Sequence, residues 1–299
     1  MTSFYKLFPI ISLVFLFTVN QGLAQGVDPG ADLTTKLQAV AEDNAVGYMK
    51  PFATALGTAI NSGLYHTAKI HGIPGFDFGI RAMVVSVPTE GLTYTSTLGT
   101  ESRTVFGELV YMDQLLPGGL DISTVFFAVP QVTIGLFMGT EINIRYLPAI
   151  EISDKIGSID LTGFGISHSI DQYIPAPLPL LPQLSVGYMR QEFNVGDILS
   201  STHTAFNIRL SKSVPLITAY VGAQIESTDM DLTYTHTLAG TTTDVNVSLE
   251  GDNGFRYTGG LRVTVFPFVG VNVDYSAGEY NAINVGLTFS FDPPGIPII

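Results

Sequence analysis

The chain has 299 residues, 46% hydrophobic and only 13% charged, with a formal net charge of −13 and no cysteine. The missing thiols exclude a disulfide framework and a thiolate metal site, and the acidic balance argues against nucleic acid, whose phosphates it would repel. A charged fraction about half that of an ordinary soluble domain would leave a water-facing surface poorly solvated, so something other than water should cover part of it.

At the start of the chain, Lys6 precedes an apolar run from Leu7 to Val19 and the small-residue pattern Gly22-Leu23-Ala24. This predicts a secretory signal peptide over residues 1–24, cleaved before Gln25, because the run is short for a bilayer span and no stop-transfer segment follows. Residues 25–73 read as an N-terminal helical plug segment and 74–299 as a transmembrane β-barrel. Within the plug, Leu33, Leu37, Val40, Ala41, Ala45 and Tyr48 recur at helical spacing behind Asp32 as N-cap. Pro51 is expected to open a second helix carrying Phe52, Leu56, Ala59 and Ile60, with Gly63 as its stop.

From Gly75 onward the signal is period two, which sends alternate side chains to opposite faces of a strand. Gln131–Tyr146 is the longest case: Val132, Ile134, Leu136, Met138, Ile142 and Ile144 share one face, and Gln131, Thr133, Glu141, Asn143 and Arg145 share the other. The last strand sets Ile283, Val285, Leu287, Phe289 and Phe291 against Ala282, Asn284, Gly286, Thr288 and Ser290. Similar alternation marks 76–87, 158–170, 183–193, 203–211, 216–228, 255–265 and 268–275, with a weaker strand near 122–129. Strands of about ten residues, a second face of Gly, Thr, Asn and isolated charges, and aromatics at strand ends select a membrane barrel over a soluble sandwich. Short candidates at Leu92–Ser96 and Thr104–Val110 could add strands, so the expected fold is all-β, an antiparallel barrel of about 12 strands within a range of 10–14. Counting back from a final strand that ends in the periplasm puts Phe266-Pro267-Phe268, 211–215 and 174–182 on that side. It leaves 147–157, 194–202 and a large loop from Met230 to Asn253 outside, with Tyr257 and Tyr275 at the outer aromatic girdle.

The stretches Tyr48-Met-Lys-Pro-Phe52, Asn61-Ser-Gly-Leu-Tyr65, His66-Thr-Ala-Lys69, Gly75-Phe-Asp77, Gly139-Thr-Glu141, Arg145-Tyr-Leu-Pro148 and Gly163-Phe-Gly-Ile-Ser-His168 resemble a family of Gram-negative outer-membrane proteins known only as a domain of unknown function. The resemblance covers most of the chain after the signal peptide and implies a barrel without assigning an activity. More loosely, helices ahead of a mid-sized barrel are similar to the long-chain fatty acid transporter family, although the Asn-Pro-Ala motif of that family is absent here.

Arg81, Arg145, Arg209, Arg256 and Arg262, with Asp77, Glu141, Glu226 and Asp274, fall on the expected lumen face, since a charge facing lipid near the midplane costs about 2–4 kcal/mol. They could form a polar constriction that selects solutes, or ion pairs that fill the interior of a small barrel. Leu37, Val40, Phe52, Leu56 and Ile60 are the expected plug contacts. His168 beside Ser167 and Ser169 is the one pairing with a hydrolase flavour, but neighbours on a strand face opposite ways, so no enzyme is expected. His66 and His71 read as a structural junction ahead of the first strand. Asp229, Asp231, Asp252 and Asn253 match no calcium-loop spacing and read as a solvated acidic loop, so no metal or cofactor is expected. The expected location is the outer membrane, with its lipid and the barrel-assembly machinery as partners, alongside small apolar solutes. The leading expectation is passage or binding of small apolar or amphipathic molecules; the alternative is a structural or surface-interaction barrel with a closed lumen.

Overall fold

The computed structural model describes residues 42–108, 119–153, 157–174, 181–238 and 241–292. The signal peptide and the plug residues Leu33, Leu37 and Val40 lie outside them. Among the described residues one helix, α1 (Glu42–Ile60), precedes β1 (Phe76–Ser86), after which a small hairpin of β2 (Thr93–Thr95) and β3 (Glu101–Arg103) stands apart from the main sheet. The wall continues with β4 (Thr124–Gly135), β5 (Thr140–Ser153), β6 (Gly157–Ser169), β7 (Gln183–Val195), β8 (Leu199–Val214) and β9 (Ile217–Leu238). Then come β10 (Thr241–Glu250), β11 (Phe255–Phe266), β12 (Val269–Ala277) and β13 (Asn281–Phe291).

Every pairing in the main sheet is antiparallel, and β1 closes on β13 over eleven residue pairs from Phe76↔Phe291 to Ser86↔Asn281. Ten strands form the closed ring, and β10 lies outside it, paired only with the far half of β9. Closure removes the sheet edges that hydrocarbon cannot satisfy. The ring has a turn end, where β1 begins and where 215–216 and 267–268 make tight connections, and a loop end carrying 87–108, 119–123 and the β9–β10 hairpin.

The long alternation over Gln131–Tyr146 is two strands, not one. Phe137, Met138 and Gly139 turn the chain, Met138 and Gly139 at φ 59° and 64°, and Gln131 pairs with Arg145. Cross-strand partners point to the same face, and here they are always two odd or two even positions, so the alternation passes through the hairpin without losing phase. Odd positions do face inward and even positions outward on both arms. Thr93–Thr95 forms part of the small separate hairpin and Thr104–Gly107 a turn, so neither adds to the wall. The expected loop Met230–Asn253 is instead the β9–β10 hairpin.

Outer polarity changes along the barrel axis. On β9, Ile217, Ala219, Val221 and Ile225 face out; further toward the loop end the outward set becomes Ser227, Asp229, Asp231 and Thr233, while Met230, Leu232 and Tyr234 turn inward and are buried. β7 repeats this, with Leu184, Val186 and Tyr188 outward and then Arg190, Glu192 and Asn194. Eight residue steps from Ile217 to Ile225, at about 3.3 Å each and tilted by about 40°, give a height of roughly 20 Å, close to the apolar band of membrane barrels. Phe76, Phe268, Phe289 and Phe291 contact one another at the turn end with ring centroids 5.8–6.4 Å apart, and Phe255 meets Tyr257 at 4.7 Å at the other edge. Beyond the band, the β6–β10 side rises into a polar-coated extension with an apolar interior.

That interior is filled by α1. Tyr48, Met49, Leu56 and Ile60 pack into a cluster with Phe127, Phe193, Met230 and Leu232. Pro51 sits inside a single helix and does not open a second one. Its missing N–H costs one backbone bond, and burial of the segments on both sides holds them as one element. Residues 53–60 are buried on every side, so the expected one-sided stripe of Phe52, Leu56 and Ile60 gives way to a small-residue helix enclosed by the wall.

Candidate functional site

α1 enters at the loop end. Asn44 Oδ1 accepts the Thr97 amide at 2.9 Å, the Val105 amide donates to the Tyr48 carbonyl at 3.0 Å, and Lys50 pairs with Asp252 at 2.8 Å. The sequence leaves the helical segment either inside the barrel or at the mouth where β1 begins; α1 lies inside, in the half away from that mouth, and residues 61–75 carry the chain through the lumen to the turn end. Burial of the apolar loop-end interior favours this placement, since that half of the wall offers α1 the larger apolar cluster. Gly57 allows the approach, because a β-carbon there would lie 1.9 Å from Thr228 Oγ1.

The last turn of a helix leaves carbonyls without intrahelical donors, and these carry its partial negative charge. The wall supplies the donors. Arg145, on β5, reaches the Ile60 carbonyl at 2.7 Å and the Ser62 carbonyl at 2.9 Å, with Gln131 Oε1 accepting its Nε at 2.9 Å. Arg256, on β11, donates to the Thr58 carbonyl at 3.0 Å and to Ser62 Oγ, and pairs with Glu226 at 2.5 Å. Gln191 also serves Ile60, Gln224 serves Asn61 at 3.0 Å, and Gln131 serves Leu64 at 3.1 Å. Gly63, at φ 62°, turns the chain out of the helix with its α-carbon against Asn284.

Toward the turn end two histidines of the plug dock on wall carboxylates. His66 Nε2 lies 3.2 Å from Asp77 Oδ2 and Arg81 Nη2 lies 2.7 Å from His66 Nδ1, so the guanidinium donates to an unprotonated Nδ1. Burial, opposed only in part by Asp77, pushes the His66 pKa down to about 4. Arg81 also binds Asn272 and Thr288, and Asp274 accepts from Tyr220 at 2.7 Å and from Asn284. His71 Nδ1 meets Glu141 Oε2 at 2.9 Å, and Arg209 meets the other oxygen at 3.1 Å while lying over the Tyr65 ring. Against the lowering effect of burial, the hydrogen bond and charge of Glu141 raise the His71 pKa.

The structure thus places Arg81, Glu141, Arg145, Arg209, Glu226, Arg256 and Asp274 in the lumen and brings them together through the plug, with Arg262 half-buried near the turn-end mouth. Beside Tyr65, His66, Gln131 and Glu141 the remaining gap is about 10 Å³, roughly the room one water needs. The sequence sets Gln131 on the polar face without a role and does not single out Gln191 or Gln224, yet all three are neutral donors to the plug. Their signal was present: each is a long amide on the inward face of its strand, where a neutral donor has no water to serve.

Ser167 and His168 do not meet. Ser167 accepts from Asn143 at 2.9 Å in the lumen, whereas His168 faces out to Thr140 at 2.8 Å and Tyr173 at 2.9 Å. His203 contacts Ser201 and Thr228 in the buried interior with no carboxylate on either ring nitrogen. Asp229 and Asp231 point outward from β9, away from Asn253, which binds Glu226 and Thr228 inside. No group of three metal-ligating side chains occurs among the described residues.

Solved structures similar to this chain are distant. The translocator domain of the autotransporter NalP from Neisseria meningitidis has 12% identity and a TM-score of 0.38, over 84% of this chain and all of that one. The outer membrane protease OmpT from Escherichia coli has 8% identity and a TM-score of 0.37, over 74% of this chain and 99% of that one. The outer membrane protein OmpT of Vibrio cholerae has 12% identity and a TM-score of 0.28, and the chain spans 55% of its length. These matches lend no support to the looser similarity with fatty acid transporters. No curated protein sequence matches. A family profile does match, over residues 1–291, and the chain belongs to that family, the family of unknown function DUF6588.

Proposed function

We propose that this chain is an outer-membrane β-barrel that its own N-terminal segment keeps closed, and that it serves at the cell surface as a scaffold presenting the polar-coated extension of β6–β10. Of the two readings open from the sequence, this favours the structural or surface-interaction barrel over free passage of small apolar or amphipathic molecules. The observation that carries it is the seating of the α1 C-terminus: five carbonyls, those of Thr58, Ile60, Asn61, Ser62 and Leu64, are taken up by wall side chains. A pore would have no use for a wall built to complement a helix end. The apolar band of the outer face supports a membrane location, and its height, near 20 Å by strand geometry, suits one bilayer. We read the chain as non-enzymatic, in keeping with the separation of Ser167 from His168.

Planar-bilayer recording of the folded protein tests this. The intact barrel is expected to be nearly silent, and a variant lacking residues 31–62 but keeping its leader is expected to assemble and conduct. Sustained open-channel currents from the intact protein would instead establish the passage reading.

A further inference from the structure

At the turn end, a cavity of about 480 Å³ lies between the emerging plug and the barrel rim. Lys69 and His71 come to it from the plug, Arg262 from β11, Ser290 from β13, and the carboxylate of Asp292 from just beyond that strand. Its charges are unevenly matched. Lys69 pairs with Asp292, and His71 with Glu141. Arg262 has no carboxylate within ion-pair reach among the described residues; its Nη2 donates to Ser290 Oγ at 2.7 Å, and its Nε is buried without a partner. A half-buried guanidinium left in this state bears a desolvation cost that an anion would relieve. The other wall is apolar. Phe268 and Phe291, 6.3 Å apart, line the cavity and are also exposed on the outer face, so they connect it to the aromatic rim of the apolar band.

We propose that this mouth binds an anionic amphiphile, its carboxylate or phosphate head on Arg262 and Lys69 and its hydrocarbon chain along Phe268 and Phe291. A neutral head would leave Arg262 unpaired, and a small anion without a chain would leave the aromatic wall unused. The site opens at the rim and does not require the plug to move, so it stands independently of whether the lumen conducts. A bilayer phospholipid and a free amphiphile share this chemistry.

The test uses the full-length folded protein in a neutral detergent, titrated calorimetrically with dodecyl phosphate, dodecanol and inorganic phosphate. Dodecyl phosphate is expected to bind at least tenfold more tightly than either of the others. Arg262→Gln should weaken it at least tenfold, and Arg190→Gln, on the outer face away from the cavity, should leave it unchanged. If Arg262→Gln fails to give a heat-modifiable folded band, Lys69→Gln, at an exposed position, carries the same comparison with a smaller loss. Equal binding of dodecanol, or full affinity in every folded cavity variant, would overturn the proposal. In nanodiscs of phosphatidylcholine with and without phosphatidylglycerol, competition by phosphatidylglycerol marks bilayer lipid as the source. Undiminished dodecyl phosphate binding there marks a free amphiphile, and either result supports the shared chemistry.

Discussion

Replacing Arg145 with methionine should loosen the plug by about 3 kcal/mol. Methionine keeps much of the side-chain volume and removes the guanidinium that joins Ile60, Ser62 and Gln131. Ile60 retains Gln191 as a donor at 3.1 Å, so the main loss is the charged bond to Ser62 and the orphaning of its carbonyl, with a smaller loss at Gln131. A bond to a charged group contributes about 1.5–3 kcal/mol and a buried unpaired carbonyl costs about 1–3 kcal/mol, overlapping quantities that together support the figure of about 3. Such a change raises the population of undocked plug about a hundredfold. The measurement is open probability in planar bilayers beside amide hydrogen exchange at Asn61–Leu64, with heat-modifiable migration as the check that the barrel still forms. The opposing effect is desolvation, because Arg145 is fully buried and has no carboxylate within 4 Å among the described residues. If Arg145→Met closes the channel more firmly or slows exchange, desolvation outweighs the helix-end interaction and the seating argument fails.

The polarity change along β9 predicts that Val221→Arg destabilises the lipid-refolded barrel by about 2–4 kcal/mol while Ser227→Arg costs under about 1, a contrast read from denaturant midpoints; equal effects would remove the assigned band. Gly57→Ala, despite a better helix propensity, should raise channel opening, because its β-carbon would meet Thr228 and Asn253. His66, held near a pKa of about 4 against the usual 6.5, binds fewer protons folded than unfolded between those values. Stability should therefore be fully present above about pH 6.5 and decline as pH falls toward 4, and that part of the pH profile should vanish in His66→Gln.

Much of the barrel is legible in the residues. The strand Ala282–Phe291 and the inward placement of Arg81, Arg145, Arg209 and Arg256 follow from alternation plus the cost of charge in lipid, and both terms act locally. The turn at Phe137–Gly139 escaped because its flanking strands alternate in phase, so periodicity alone could not register the reversal. The β9–β10 hairpin could have been read: Met230, Leu232 and Tyr234 answer Val245, Val247 and Leu249 at period two. Its acidic outer face resembled a loop only because the apolar face was assumed to point outward throughout. The position of α1 had no local signal. A helix of small residues such as Ala53-Thr-Ala-Leu-Gly-Thr-Ala-Ile60 is compatible with either mouth, and what decides is the distant complement of Arg145, Arg256 and Gln191, scattered over more than a hundred residues of sequence.

The passage of residues 44–75 through a closed ring makes withdrawal of the plug directional. The segment is tethered at the turn end, where Gly75 leads into β1, and free of the wall's covalent chain at the loop end. Drawn out toward the loops, α1 would leave residues 61–75 behind, and those fifteen can extend to about 50 Å, enough to keep a strand of peptide spanning the lumen. Drawn out toward the turns, α1 and residues 61–75 leave the ring together. The barrel is in this respect a one-way stopper: a pull from the loop side can only thin the obstruction, while full clearance requires the segment to retreat past His66, His71 and their carboxylates.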